Sequence, residues 1–536
     1  MGKNGQASLG VIPYAEATKK LTLKEKVGQF FMPAAFINDT EEEILALQSL
    51  VSRGAVGGIC FFHSRASAAT NFEGKKEVVY NAESFSVLKG LIQRYQRAAK
   101  YPLLISIDAE WGLAMRIEET PQYPYAITLG AANDPLLIYE IAKTIGSDCR
   151  IAGIHWNFAP VADINSNPDN PVIGYRSFGG DKEKVSVCAT AFSKGLQDAG
   201  ILSCAKHFPG HGDTATDSHL QLPVIDKTKT DLLKEELVPF KALIRNGVDA
   251  IMVGHISLPE ITDGQQTSAS VSKHIIGDLL LDTLNYKGVV VSDALNMRSV
   301  SNSFNEKGML EWAAFNAGTD VLCFAENVVE GIEQICNTAE ENQIEASFKK
   351  VWTLKEKGIN KQGKEAEKLS SPLNLNERIA RKSLTLFRGT EAEIQKFRED
   401  DFNAISIGAD TESQFLKKIG WEKEKYFTLE ENGNFQKLKN KIGSQKQLLL
   451  AVYLPTAKPV DAFGLGKGKL EILIELLSHY DSILYLFGNP YFLRLLPIET
   501  MKGIVIAYQH LDGFEMIAAE HFLGNFTATG YLPVKL

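Results

Sequence analysis

The sequence predicts an α/β protein: a (β/α)8 TIM-type barrel followed by a smaller three-layer α/β/α sandwich domain. Three observations point there. Eight short apolar runs recur between residues 28 and 324, each with little alternation, as expected of strands buried on both faces of a parallel sheet. Amphipathic stretches of helical character separate most of them. The runs also end, one after another, in chemically active side chains. A barrel gathers the C-terminal ends of its strands around one mouth. A doubly wound open sheet, the structural competitor, would string them along an edge.

In order along the chain, "GQFFMPA" and "VGGICFF" are the first two strands, and "PLLISIDAE" ends in Asp108 and Glu110. "HWNFAPVADI" leads to Asp163 and Asn165. The stretch "DKEKVSVCATAFSKGLQDAG" reads as a helix, with acidic residues early and a closing glycine. "ILSCAKHFPG" then delivers Lys206 and His207, and "KTDLLKEELVPFKALIRNG" reads as another helical stretch. "DAIMVGHI" brings His255, "KGVVVSDAL" brings Asp293, and "TDVLCF" completes the set. The expected organisation is a catalytic barrel over residues 1–350, charged linker helices over 351–382 and the second domain over 383–536. In that last part "SLTLFRG", "NAISIGA", "QLLLAVYLP", "SILYLFGNP" and "GIVIAYQ" read as strands of a parallel sheet. No Walker-type loop or GxGxxG follows any of them, so the second domain carries no nucleotide signature.

Composition narrows the class. A chain of 536 residues is too long for one ordinary core, which agrees with two domains. The apolar share of 44% and charged share of 23% are those of a soluble globular protein. A net charge of −8 leaves no basic footprint for nucleic acid. No apolar run is long enough to span a membrane, and "MGKNGQASLG" lacks the apolar core of a secretory signal. The six cysteines show no paired spacing, which favours a reducing compartment. The expected location is cytoplasmic or periplasmic.

The densest chemistry lies in "CAKHFPGHGDTATDSHLQLP", residues 204–223, which holds three of the chain's ten histidines. His207 and His211 are four apart, but Pro209 and the flanking glycines disrupt a helix across that interval. The helical geometry of a zinc pair is therefore lost, although a loop could still assemble a metal site from His207, His211, Asp213 and His219. A hydrogen-bonded surface loop is the bland reading. The third reading rests on "DSH". Asp217 and His219 are two apart, so an extended segment points both the same way. A carboxylate bonded to an imidazole fixes its tautomer and raises the basicity of the other nitrogen, as a general acid/base requires.

Asp293 ends the apolar run of "YKGVVVSDALNM". At the mouth of a barrel such a carboxylate reads as catalytic, and an ionised one can attack an anomeric carbon. The alternative is an Asp that caps the following helix. "SIDAEWGLAMRI" supplies Asp108 and Arg116, and "NPVIGYRSFGGD" supplies Arg176 beside glycine-flexed backbone. Carboxylates accept from sugar hydroxyls and guanidinium groups donate in a fixed fork. Either arginine could instead form a salt bridge on the rim.

Taken together, "KHFPGHGDTATDSH", "NPVIGYRSFG", "SIDAEWG" and "VVVSDALNM" resemble the motifs of family 3 glycoside hydrolases, nearest to their bacterial β-N-acetylglucosaminidase branch. "LTLKEKVGQFF" and "GNFTATGYLPV" resemble the family's boundaries, so the likeness covers nearly the whole chain in its two-domain form. The resemblance implies Asp293 as nucleophile, His219 as acid/base and Asp217 as its partner. It implies that Lys206, His207, Asp108, Arg116 and Arg176 bind the sugar, with no metal and no cofactor. The implied reaction is hydrolysis of terminal β-linked GlcNAc with retention, on small carbohydrate substrates from peptidoglycan. One departure stands out: relatives commonly read "EGGR" where this chain reads "EWGLAMR", so Trp111 replaces a glycine. A metal-dependent barrel hydrolase, a silent carbohydrate-binding protein and a GlcNAc phosphorylase of the same family are the competing readings.

Overall fold

The computed structural model describes residues 10–63, 80–214, 222–360, 368–409, 412–420, 426–429, 435–511 and 513–536. The chain forms two compact units. One comprises Met1–Gln122, Ile138–Asp163 and Ala189–Ser370, and the other Tyr123–Leu137, Ile164–Cys188 and Ser371–Leu536.

The first unit is a closed ring of parallel strands. Strand β1 runs Phe31–Met32 and resumes as Ala34–Phe36 past Pro33, which has no amide proton to donate. The others are β2 (Gly58–Phe62), β3 (Leu104–Ile107), β4 (Trp156–Asn157), β5 (Cys204–Phe208), β6 (Ala250–Val253), β7 (Val289–Ser292) and β8 (Leu322–Cys323). β1 to β4 pair in sequence order, as do β5 to β7. Parallel bridges Trp156–Leu202 and Val161–Lys206 join β4 to β5, and Val291–Val321 joins β7 to β8. Pairing of Phe31 with Leu322 closes the ring. β3, β6 and β7 are buried along their full length, which is why their sequences show no alternation.

Two local departures from regularity matter for the site. The run "HWNFAPVADI" is a regular strand for only two residues, because Pro160 interrupts the amide ladder. Cys204 and Lys206 still donate to the carbonyls of Ala159 and Pro160, and Ala162 donates to Lys206, so the segment reaches Asp163 beside β5. β5 itself shifts register between Ala205 and Phe208. The stretch expected as one helix at 229–245 splits into Lys229–Lys234 and Leu237–Arg245. Pro239 explains the break: its ring clashes with the carbonyl of Glu235, four residues back, but is tolerated in the first turn of a new helix.

The closing helix runs unbroken over Glu341–Ile359, with Ile344, Phe348, Val351, Trp352 and Lys355 on its buried side. Trp352 Nε1 donates to the Ile12 carbonyl at 2.8 Å. The first unit therefore continues past residue 350, the expected end of the barrel, as far as Ser370.

The second unit is built on a six-stranded sheet. In chain order its strands are β9 (Thr385–Arg388), β10 (Asn403–Ile407), β11 (Tyr426–Leu429), β12 (Gln447–Tyr453), β13 (Asp481–Phe487) and β14 (Gly503–Ile506). Their spatial order is β9-β14-β13-β12-β10-β11, parallel except for the antiparallel edge strand β9. Edge strand β11 was not among the five strands expected. Alternate residues of the sheet feed two apolar clusters, Leu448, Leu450 and Val452 on one face and Leu449, Ala451 and Tyr453 on the other, so both faces are covered by helices. Segments 123–137 and 164–188, expected within residues 1–350, pack here. Ile127 and Ala131 belong to the first cluster, and Gln509 Oε1 accepts from Tyr125 N at 2.7 Å and Thr128 Oγ1 at 2.9 Å. Such contacts between residues nearly 400 apart leave no local trace in sequence.

Candidate active site

The C-terminal ends of the barrel strands carry a connected polar cluster. Asp108 follows β3 directly. Its position is fixed by Asn157 of β4, whose side-chain amide accepts from Ala109 N and donates to Ala109 O, both at 3.0 Å. Gly112, at φ 98°, turns the chain where a side chain would strain it. The short turn Leu113–Met115 then brings Arg116 back to the strand end. Arg116 Nη2 donates to Asp108 Oδ2 at 2.7 Å, and its guanidinium lies 4.6 Å from the centre of the Phe62 ring.

Lys206 of β5 is 2% exposed. Its ammonium bridges Asp108 Oδ1 and Glu110 Oε1, each at 2.7 Å. Burial alone would raise the Asp108 carboxyl, but Lys206 and Arg116 outweigh it and hold Asp108 well below the usual carboxylate range. Two cations thus face two carboxylates with little water between them.

His207 follows Lys206 and is tied to Asp163, which is fully buried. Asp163 Oδ1 accepts from His207 N at 3.1 Å and His211 N at 2.8 Å, and Oδ2 meets His207 Nδ1 at 2.7 Å. Burial opposes the Asp163 charge, but His207 and His211 together keep the carboxyl below its ordinary value. The His211 ring stands edge-on to His207, 6.1 Å between centres, with Nδ1 against Thr214 Oγ1 at 2.8 Å. Burial, then His207, pull the His211 imidazole down to about 4, so it is neutral near neutral pH.

Asp293 follows β7 directly and is half-buried. Its Oδ1 accepts from Ala294 N at 2.8 Å. Desolvation works against its charge, but His207, His255 and Lys206, helped by that amide, hold the carboxyl below its usual value. His255 is fully buried and steadies the same turn: Nε2 lies 2.9 Å from the Ala294 carbonyl and Nδ1 lies 2.8 Å from Ser270 Oγ. A carbonyl only accepts, so Nε2 carries a proton.

Lys206 therefore links the two ends of the cluster: it is ion-paired to Asp108 and acts on the charge of Asp293. Asp108, Arg116, Lys206, His207 and Asp293 are brought together. Arg176 sits in the second unit, at the end of the turn Gly174–Arg176, with Nη1 3.5 Å from the Val172 carbonyl. Asp217 and His219 lie outside the described residues. Of the rival metal set, His207 Nδ1 faces Asp163, His211 Nδ1 faces Thr214, and Asp213 pairs with Lys227 at 2.7 Å. Among the described residues no group of three or more His, Cys, Asp and Glu side chains is placed to hold a metal ion.

Glu110, Asp163 and His255 had been legible only as polar groups at strand ends. What each does depends on a partner 15 to 96 positions away in the chain. An ionised carboxylate beside buried cations, with oriented donors around it, suits attack on an electrophilic carbon and the fixing of sugar hydroxyls.

A family model described as the glycosyl hydrolase family 3 N terminal domain matches residues 22–354. The β-hexosaminidase A of Pseudoalteromonas piscicida is 34% identical over 291 residues, which are 51% of this chain and 46% of that protein. The β-hexosaminidase of Haemophilus influenzae is 33% identical over 304 residues, 55% of this chain and 80% of that protein. The chain thus spans about half the length of the first relative and four-fifths of the second. A solved glycoside hydrolase family 3 β-N-acetylglucosaminidase from Paenibacillus sp. str. FPU-7 superposes with a TM-score of 0.77 at 29% identity, covering 96% of this chain and 99% of that one.

Proposed function

Because the chain belongs to glycoside hydrolase family 3, we propose that it is a retaining exo-β-N-acetylglucosaminidase acting on small GlcNAc-terminated fragments of peptidoglycan. The observation that carries this reading is Asp293: a carboxylate at the end of a barrel strand, held ionised by His207, His255 and Lys206. In the proposed reaction Asp293 attacks the anomeric carbon while the bond from that carbon to the leaving oxygen breaks. His219 donates its proton to that oxygen. The resulting glycosyl ester on Asp293 is hydrolysed by a water whose proton His219 takes back, so two inversions give retention. Asp217 orients the His219 ring and fixes its tautomer. Asp108, Arg116, Lys206 and His207 hold the sugar hydroxyls.

The chemistry of the pair supports this assignment. Most retaining glycosidases place two carboxylates roughly 5–5.5 Å apart, and the two charges repel. An imidazole in place of one carboxylate removes that repulsion, but it needs a carboxylate partner to be basic enough. The "DSH" spacing supplies one.

The test is dependence on the leaving group. Asp293→Ala should abolish turnover of every substrate. His219→Ala should lose about 10²–10⁴-fold on a GlcNAc–anhydromuramic substrate, whose alkoxide needs a proton. It should lose less in the first step with p-nitrophenyl β-GlcNAc, and a single HexNAc should accumulate on Asp293 by intact mass. Equal losses on both substrates without a trapped adduct would remove His219 from the acid/base role. Running the products in phosphate buffer separates hydrolysis from transfer to phosphate.

A further inference from the structure

We propose that Asp163 is a positioning residue that sets the protonated nitrogen of His207, forming a buried Asp–His pair separate from Asp217 and His219. Four of its contacts divide between the two carboxylate oxygens. Oδ1 accepts both backbone amides, His207 N at 3.1 Å and His211 N at 2.8 Å. Oδ2 meets the His207 ring at Nδ1, 2.7 Å away, and His207 N at 3.2 Å. A carboxylate that keeps its charge only accepts, so Nδ1 carries a proton. The imidazole then offers its other nitrogen, Nε2, to whatever chemistry the ring performs. Asp163 is fully buried and His207 is 6% exposed, so water does not compete for this bond.

The surroundings make the tautomer consequential. Asp163 is faced by His207 and His211; His207 is faced in addition by Asp293, and follows Lys206 in the chain. Asp293 is held ionised by His207, His255 and Lys206. A His207 ring fixed at Nδ1 by one carboxylate thus also acts on the charge of the carboxylate proposed as nucleophile. In its effect on turnover the inference rests on the proposed role of Asp293. In the state of the ring it does not.

The split of the contacts makes Asp163→Asn a discriminating substitution. An asparagine with its oxygen in the Oδ1 place keeps both backbone amide bonds that hold the 207–211 segment. Its amide nitrogen, in the Oδ2 place, donates toward Nδ1 and favours the opposite tautomer. Histidine-labelled ¹⁵N NMR reads the tautomer without substrate, with the His207 signal identified by its loss in His207→Gln. The expected results are a protonated Nδ1 in the parent, an unprotonated Nδ1 in Asp163→Asn, and a thermal midpoint near the parent's. The kcat/KM of Asp163→Asn should fall about 10–100-fold, the range in which carboxylates behind functional histidines act. In a His207→Gln background the same substitution should cost less than about 2-fold, since the ring it acts through is gone. A purely structural Asp163 would cost the same in both backgrounds, and that result overturns the proposal. So does an unprotonated Nδ1 in the parent, which decides the matter even if Asp163→Asn does not fold. Absence of GlcNAc release by the parent would remove the proposed activity while leaving the NMR result to decide this one.

Discussion

Asp108 is the hub of the cluster, and Asp108→Asn tests whether its charge is what joins the strand ends. The substitution keeps the shape and one oxygen. That oxygen can serve either Lys206 or Arg116, each now 2.7 Å from Asp108. The new amide must then point two donors at the other cation. Lys206 is 2% exposed, and the Asp108 and Arg116 side chains are 12% and 19% exposed, so screening is slight. Removing one member of a buried pair costs about 3–5 kcal/mol. Glu110 still holds Lys206 at 2.7 Å, which puts the expected cost at the lower end, about 3 kcal/mol. At about 1.4 kcal/mol per tenfold, that is roughly a hundredfold in kcat/KM if the loss falls on substrate binding. The assay is kcat and KM with p-nitrophenyl β-GlcNAc, beside the thermal midpoint of the same protein. A hub that holds sugar hydroxyls shows a raised KM with a modest change in midpoint. A fall of less than about fivefold with an unchanged midpoint would refute the view that the Asp108 charge organises the cluster.

The other predictions are simpler. Asp217→Ala should behave as a milder His219→Ala, because the imidazole stays but loses its orienting partner; a loss greater than that of His219→Ala would contradict the pairing. Prolonged EDTA treatment should leave turnover unchanged, and activity that disappears and returns with zinc would point instead to the metal-dependent reading. Lys355 is fully buried against Gln29 and the Trp352 ring, and burial pulls its amine down to about 7. The unfolded chain, with a lysine near ~10.4, then binds more protons than the folded one between about pH 7 and 10, so stability should rise with pH across that window. Lys355→Met should flatten that rise in thermal midpoint; an unaltered rise would show that Lys355 is not its source.

The sequence by itself determined the barrel and much of its mouth. Buried parallel strands must be apolar along their length, so "VGGICFF" and "KGVVVSD" announced themselves, and the polar residue that ends each run had to fall at a strand terminus. That is why Asp108, Lys206, His207 and Asp293 could be picked out one by one. Other features were decided only in three dimensions. Pro239 divides one helical stretch into two because of a clash with a carbonyl four residues back. Segment 123–137 joined the second unit because Ile127 and Ala131 sit in its core, and segment 164–188 joined it with Tyr175 packed against that core, a choice no local pattern encodes. Glu110 and Asp163 were two more carboxylates at strand ends until the fold set one against Lys206 and the other against His207. Residue type and period are local, so sequence carries them. Ionisation and tautomer depend on partners within 3 Å that the chain brings from 44 or 96 residues away, and only the tertiary structure supplies those.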